Sequence, residues 1–338
     1  MKVLYHLTVP PSSMAAADAV VQEVEALRAM TGGQIIHLYP GQRPGTRLPR
    51  RWWGLQHLLA LRRAERQIDL HHIFNPDPFP FDVLRFLRQP IVYTVVAGTQ
   101  GADRKIVQNL ARRVHTLVVS TEAERAVLSA WGIATAVTIG PGIDGTRFAR
   151  VPPPTGERLT LLAGSAPWTV DQFESKGIEA LLETAQARPD LHLIFLWRGV
   201  HFEEMRRRVA RRGLSDRVTI INQYVNVADV LAQVHAASVL ARDATLVKAY
   251  PHSLLEALAA GRPILISRAI PMASYVEQTG CGKVIEVVAA ESVFTALAEL
   301  EQNYAAYRTA ALQVGQRDFS RQRLLEAYQR LYTSIVTG

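Results

Sequence analysis

Cysteine is almost absent from the 338-residue sequence. Cys281 stands alone, so no internal disulfide can form and a reducing compartment is expected. No apolar run approaches the roughly 20 residues that span a bilayer. The opening MKVLYHLTVPP is too short and strand-like for a secretory signal and leads into the fold. Together these absences point to the cytoplasm. Metal-ligand constellations are missing too. His71 and His72 are neighbours on a β-rich run, where successive side chains face opposite sides, so they make no two-ligand site. Helix-turn-helix, zinc-finger and RNA-recognition signatures do not occur, which sets nucleic acid aside as a partner.

What is present describes an ordinary globular protein. The apolar fraction is 48% and the charged fraction 20%, and the length accommodates two separate cores. Net charge is +8 and is unevenly placed: residues 1–150 carry 18 Lys/Arg against 11 Asp/Glu, residues 151–338 carry 20 against 19. The excess sits in the first half. It is sharpest in residues 47–66, where six arginines and Trp52 and Trp53 accompany a leucine stripe. That mixture reads either as a helix with a solvated basic face or as an interfacial segment for anionic lipid or a lipid-linked acceptor.

Short β-rich runs alternate with helical ones. The pattern predicts strands at 2–9, 34–39, 68–74, 91–96, 116–120 and 135–139, with a helix over 15–30. This is the rhythm of a doubly wound α/β domain with a parallel sheet. Residues 148–157, with Pro152, Pro153 and Pro154 in succession, suit neither helix nor central strand and read as a linker. The rhythm then restarts, with strands at 159–163, 191–197, 218–222, 237–240, 263–267 and 283–287 and helices at 178–187, 202–211 and 227–235. The expected division is an N-terminal domain over 1–150, a second over 151–319, and a closing helix over 320–338. Leu324, Leu325, Tyr328, Leu331 and Tyr332 give that helix one apolar face, suited to packing back on the first domain. Two such α/β units in tandem create a cleft at their strand ends.

The stretch KAYPHSLLEALAAGRP, 248–263, organises the second half. A Tyr-Pro-His-Ser turn feeds strong helix formers that stop at Gly261 before Pro263. Ser253 is the expected N-cap, and Leu254, Leu255 and Leu258 the core face. Glu256 is expected in the first turn. There it either complements the helix dipole or turns to a sugar hydroxyl while the free amides receive a phosphate.

Three segments in order, Val118–Phe148 (VVSTEAERAVLSAWGI, then IGPGIDGTRF), Glu174–Thr184 (ESKGIEALLET) and Ala249–Ser267 (AYPHSLLEALAAGRPILIS), resemble the retaining, nucleotide-sugar-dependent glycosyltransferases of the two-Rossmann-domain (GT-B) type, family 4. The resemblance covers nearly the whole chain. It implies two tandem Rossmann-like domains, the second holding the donor and the first the acceptor. It implies transfer of a sugar from a UDP- or GDP-linked donor to a hydroxyl of a glycan, lipid-linked or small-molecule acceptor, without a metal or other cofactor.

Residue by residue, the resemblance places Glu256 on the nucleotide ribose and Lys176, followed by Gly177, on the diphosphate. Lys248 occupies the place of a first glutamate, eight residues earlier; Ser165 after Gly164 replaces an arginine; and the Thr94–Gly98 run lacks a histidine. Lys248 then either supplies the cation missing at Ser165 or meets an acidic donor sugar, or it points to solvent or marks lost transferase activity. Further donor-side candidates are His252, Ser253, Leu254 and Leu255 through their backbone amides, Gln223, Tyr224 and Val225 after a strand, and Arg198 at a strand end. Tyr224 reads equally as core, and Arg198 as a surface ion pair. On the acceptor side stand Ser12, Ser13, Asn75, Thr94 and Gly98, with His71, His72 and Asn75-Pro76-Asp77 expected at a strand end facing the cleft. Two other functions remain open: a non-catalytic glycosyltransferase-like subunit, and a nucleotide-sugar epimerase.

Overall fold

The computed structural model describes residues 1–9, 19–41, 48–148, 151–152, 154, 158–197 and 200–337. In chain order these form β1 (Val3–Leu7), α1 (Ala19–Thr31), β2 (Gln34–His37), α2 (Leu58–Ala64), β3 (Leu70–Asn75), β4 (Ile91–Val95), α3 (Arg104–Ala111), β5 (Thr116–Val119), α4 (Glu122–Ala130) and β6 (Ala136–Thr138). The second half forms β7 (Thr160–Ala163), α5 (Gln172–Ser175), α6 (Ile178–Ala187), β8 (His192–Leu196), α7 (Phe202–Arg211), β9 (Val218–Ile221), α8 (Val227–Leu231) and β10 (Ala236–Val239). It continues with α9 (His252–Ala259), β11 (Ile264–Ser267), α10 (Ala273–Thr279), β12 (Gly282–Ile285), α11 (Ala290–Gln302) and α12 (Tyr304–Arg317), and α13 (Arg321–Thr337) closes the chain.

The chain divides into two units, one of residues 1–142 and 321–338 and one of 143–320. The break precedes the proline run, because Phe148 is already buried in the second unit's core and the Ile143 amide donates to the Phe319 carbonyl at 2.9 Å. Residues 149–150, 153 and 155–157 of the expected linker lie outside the described residues, as does the start of the helix expected over 15–30. Residues 288–319, to which the sequence pattern assigned no element, carry α11 and α12. The alanines and tyrosines of α12 are spread around the helix rather than along one stripe, which hides its period.

The first unit is a six-stranded parallel sheet in the order β2-β1-β3-β4-β5-β6. Alternation along β1 and β3 sends Leu4 and Ile73 to one core, and Val3, Tyr5, Leu70 and Phe74 to the other. The second core is completed by Val24 and Leu27 of α1 and by Leu324, Tyr328 and Tyr332 of α13.

The same alternation separates the adjacent histidines. They sit inside β3, fully buried, and not at its end as expected. His71 shares a 2.9 Å hydrogen bond with His6 and a 3.2 Å one with Glu65 on one face. On the other, His72 bonds Tyr332 and, at 2.8 Å, Thr94, whose hydroxyl also bonds Tyr328 at 2.9 Å. These bonds tie α13 to the sheet.

Burial lowers the pKa of His6, His71 and His72 below the ordinary imidazole value; the neighbouring His71 adds to the effect at His6, and burial outweighs Glu65 at His71. All three stay neutral when folded and take up protons when unfolded. Their contribution is therefore complete above about pH 6.5 and is lost as pH falls from there toward each ring's lowered folded pKa. Urea unfolding of the intact chain should show stability dropping steeply from pH 7 to about pH 5. A flat profile over that range would contradict neutral burial.

Candidate functional site

The second sheet, also parallel, has the order β12-β11-β10-β7-β8-β9, so the direction of winding reverses between β7 and β10. Loops leaving the carboxyl ends of those two strands diverge and open a crevice, the usual ligand position in such sheets. Gly164 and Ser165 follow β7, and Lys248 and the start of α9 come in the segment after β10. Gly164 donates its amide to the Ser238 carbonyl at 3.2 Å. A Cβ at Gly164 would lie 2.5 Å from Ser253 Oγ and 2.7 Å from Ser253 Cβ. Only glycine permits this approach, which puts the β7 loop directly against the first turn of α9.

That turn begins earlier than expected. Pro251, not Ser253, is the N-cap, and no side chain caps the helix. Proline's fixed φ starts a helix and its missing N–H is no loss there. The amides of Leu254 and Leu255 consequently fall inside the hydrogen-bonding ladder and donate to the Pro251 carbonyl at 2.9 and 3.3 Å, so they are not the open donors the sequence suggested. His252 and Ser253 hold the first two helical positions. Glu256 lies beyond the first turn, which removes the dipole explanation for it. It stands four residues after His252 and three after Ser253, on their face of the helix and away from the buried Leu254, Leu255 and Leu258. A Schellman motif closes the helix: Gly261 donates to Leu258 O at 2.9 Å and Arg262 to Ala257 O at 2.8 Å.

Lys176 is buried where α5 ends, and its ammonium donates to the Ala166 carbonyl of the β7 loop at 2.9 Å. Burial pushes its pKa below the ordinary lysine value. Gly177 follows at φ +69°, and a Cβ there would lie 2.7 Å from Leu240 Cβ. Beside it the Arg242 amide donates to Ser175 O at 2.8 Å and the Arg242 guanidinium to Glu174 at 2.7 Å, joining the β10 loop to α5. Ser267 Oγ bonds both the amide and the carbonyl of Ala241, at 2.8 and 2.7 Å, and so pins the start of that loop. Asp243 caps the next turn through the Thr245 amide and hydroxyl, which hold its carboxyl below the usual range. Lys248, half-buried, follows this turn.

Not every candidate converges here. Gln223, Tyr224 and Val225 follow β9, with β8 between them and β7. Tyr224 is 50% exposed, so its reading as core does not hold, while Val225 packs on the core that holds α9. Arg198 lies outside the described residues, as do Ser12 and Ser13.

In the first unit, Asn75 is buried at the end of β3, bonded to Thr8, Asp77 and Arg50. Thr94 directs its hydroxyl at His72 and Tyr328 beneath α13. Gly98 belongs to a turn held by Glu124, which accepts the Thr99 amide at 2.9 Å. Among the described residues no group of three or more His, Cys, Asp or Glu is placed to hold a metal ion.

Residues 169–314 match the family model of glycosyl transferases group 1. The second unit is a glycosyltransferase domain. The match spans Lys176, Lys248 and Glu256. No curated protein matches the sequence significantly. Among solved structures, sucrose-phosphate synthase from Thermosynechococcus elongatus aligns over 100% of both chains at 17% identity and a TM-score of 0.75. HepE of Anabaena, solved with UDP, aligns over 99% of this chain and 100% of its own at 13% identity and a TM-score of 0.71. A glycosyltransferase from Rickettsia africae aligns over 99% of both at 12% identity and a TM-score of 0.75. These likenesses establish the fold as GT-B, with two Rossmann-like domains.

Several residues at the same edge of the second sheet escaped the sequence reading. Trp168, in the β7 loop, is 68% exposed; its amide donates to Gln172 at 2.8 Å and its carbonyl bonds His201 at 3.2 Å. His201 is held at φ +63°, alone among the described non-glycine residues. Arg242, Asp243 and Ser267 shape the β10 loop. Arg242 and Ser267 act on groups distant along the chain, which the sequence does not signal, whereas Asp243 acts locally on Thr245.

Gly164→Ala and Gly177→Ala should each destabilise the chain by about 1–3 kcal/mol, through overpacking against Ser253 and Leu240 and, at Gly177, through its left-handed backbone. Gly145→Ala, with nothing within 4 Å of the added Cβ, should change little. Urea unfolding of the three variants measures this; equal effects at all three would refute the close approaches.

Proposed function

We propose that the protein transfers a sugar from a nucleotide-diphosphate donor, UDP- or GDP-linked, to an acceptor hydroxyl, with retention of anomeric configuration and without a metal or other cofactor. The observation that carries this reading is the contact of the Gly164 loop with the first turn of α9, in a domain of the glycosyltransferase class. It creates a crevice bordered by the start of a helix and by the buried Lys176. In the reaction the bond from the anomeric carbon to the diphosphate oxygen breaks and a bond to the acceptor oxygen forms, while the acceptor proton passes to the departing phosphate. Negative charge grows on the diphosphate. Lys176 and the α9 start stabilise it, the lysine exchanging its bond to the Ala166 carbonyl for one to phosphate. Glu256 accepts from the ribose hydroxyls, and Lys248 supplies the cation that Ser165 lacks or meets an acidic donor sugar. Gln223, Tyr224 and Val225 border the base.

Support comes also from HepE, whose structure holds UDP on the same fold. The single thiol, Cys281, is buried, with its pKa raised to about 11 by burial, and suits a cytoplasmic setting. Asn75, Thr94, Gly98, Ser12 and Ser13 remain the acceptor-side assignment, with a glycan, lipid-linked or small-molecule acceptor. Lys248 and Ser165 favour a second reading, a sugar-nucleotide-binding subunit without turnover.

Thermal shifts against UDP, GDP and their sugars test the first step. One nucleotide class should raise Tm by an amount equivalent to about 2.7 kcal/mol at a hundredfold excess over Kd, and Lys176→Ala should abolish most of it. If no nucleotide or nucleotide-sugar stabilises the chain, the reading fails. Turnover with the preferred donor, with products analysed by NMR, separates transfer from binding alone and from epimerisation, and reports the anomeric outcome. Lys248→Glu should weaken donor binding about tenfold or more, by removing a cation and adding a carboxylate near the diphosphate. Unchanged affinity and turnover would dispose of the relocated charge.

A further inference from the structure

The basic stretch of the first unit folds into a surface of one character. Trp53 turns inward, edge-on to Tyr39 at 5.1 Å and stacked near Phe81 at 6.3 Å, and Leu61 is buried in the same core. Three other large apolar residues of the stretch are exposed. Leu59 is 79% exposed, Trp52 38% and Leu48 36%. Leu59 and Arg63 are four apart on α2, and Arg66 follows in the turn that continues it, so the three share one face.

The arginines fall into two groups. Arg50 is paired with Asp77, and Arg62 with Glu65 at 3.4 Å. Arg51, Arg63 and Arg66 are exposed and have no carboxylate partner among the described residues; Arg51 instead lies 5.0 Å from the Trp52 ring. Between 48 and 67 the only carboxylate is that of Glu65, and it is buried. The exposed part of residues 48–67 is thus cationic and apolar at once.

We propose that the exposed side chains of this stretch, Trp52, Leu59, Arg51, Arg63 and Arg66, dock on an anionic lipid bilayer. Unpaired guanidiniums meet lipid phosphates, while an indole and an aliphatic side chain enter the boundary beneath them. Leu59 decides the class of partner. A nucleic-acid backbone has no use for an exposed aliphatic residue, and a purely apolar protein groove has none for three unpaired arginines. No described helix is long and apolar enough to cross the membrane, so the contact is peripheral. The inference rests on this surface alone and stands apart from sugar transfer.

Co-sedimentation of the full chain with vesicles tests it. Vesicles of phosphatidylcholine with about one-third phosphatidylglycerol should bind the protein at low salt and release it as salt rises, and phosphatidylcholine alone should not bind. Arg63→Glu combined with Arg66→Glu should lower binding about tenfold or more, since each surface cation contributes roughly fivefold. Leu59→Ser combined with Trp52→Ser should weaken it at unchanged salt dependence. All are solvent-facing, and an unchanged Tm confirms the fold in each. Equal binding to neutral and anionic vesicles, no binding to either, or full binding by the charge-reversed variant would overturn the proposal. Competition by single-stranded RNA at equal phosphate concentration would reassign the face to nucleic acid.

Discussion

The burial of α9 is the constraint on which the second unit depends. Leu254, Leu255, Ala257, Leu258 and Ala259 are all inaccessible and share one core with β10 and β11, and α12 packs across the same helix. Burying a leucine stabilises by roughly 2 kcal/mol, so this short helix cannot rotate without exposing several such residues. Its polar face is thereby fixed in direction. His252, Ser253 and Glu256 point away from the core because Leu254, Leu255 and Leu258 point into it. The β7 loop then has one place to go, against Ser253.

The crevice chemistry follows from packing in a second way. Lys176 is buried without a carboxylate, its ammonium satisfied by the Ala166 carbonyl. A charged partner would hold an ammonium more strongly than this neutral carbonyl does. The surrounding loops are held by the Ser267 hydroxyl on the Ala241 backbone and by the Arg242 amide on the Ser175 carbonyl. The walls are thus set before any ligand arrives.

The first unit solves a different problem. Its cores contain three imidazoles and the Glu65 carboxylate, and each ring is bonded to a partner in the sheet or on a helix packed against it. Thr94, which the resemblance placed on the acceptor side, joins His72 to Tyr328 and so fixes α13 on the sheet. The last helix of the chain is therefore a structural part of the first unit.

Much of this was legible in residue order alone. Short β-rich runs located every strand to within a few residues, and the punctuation at Gly261 and Pro263 ended α9. The resemblance carried by the segments Glu174–Thr184 and Ala249–Ser267 pointed to a glycosyltransferase-like second half. The sequence could not decide which residue caps α9, since Pro251 and Ser253 are both competent and tertiary packing chose the earlier start. Nor could it show that Gly164 touches Ser253, that Trp53 turns in while Trp52 stays out, or that His71 and His72 lie within a strand and not at its end. Each of those depends on chain segments far apart in sequence, and only the parallel register and the helices laid across it bring them together.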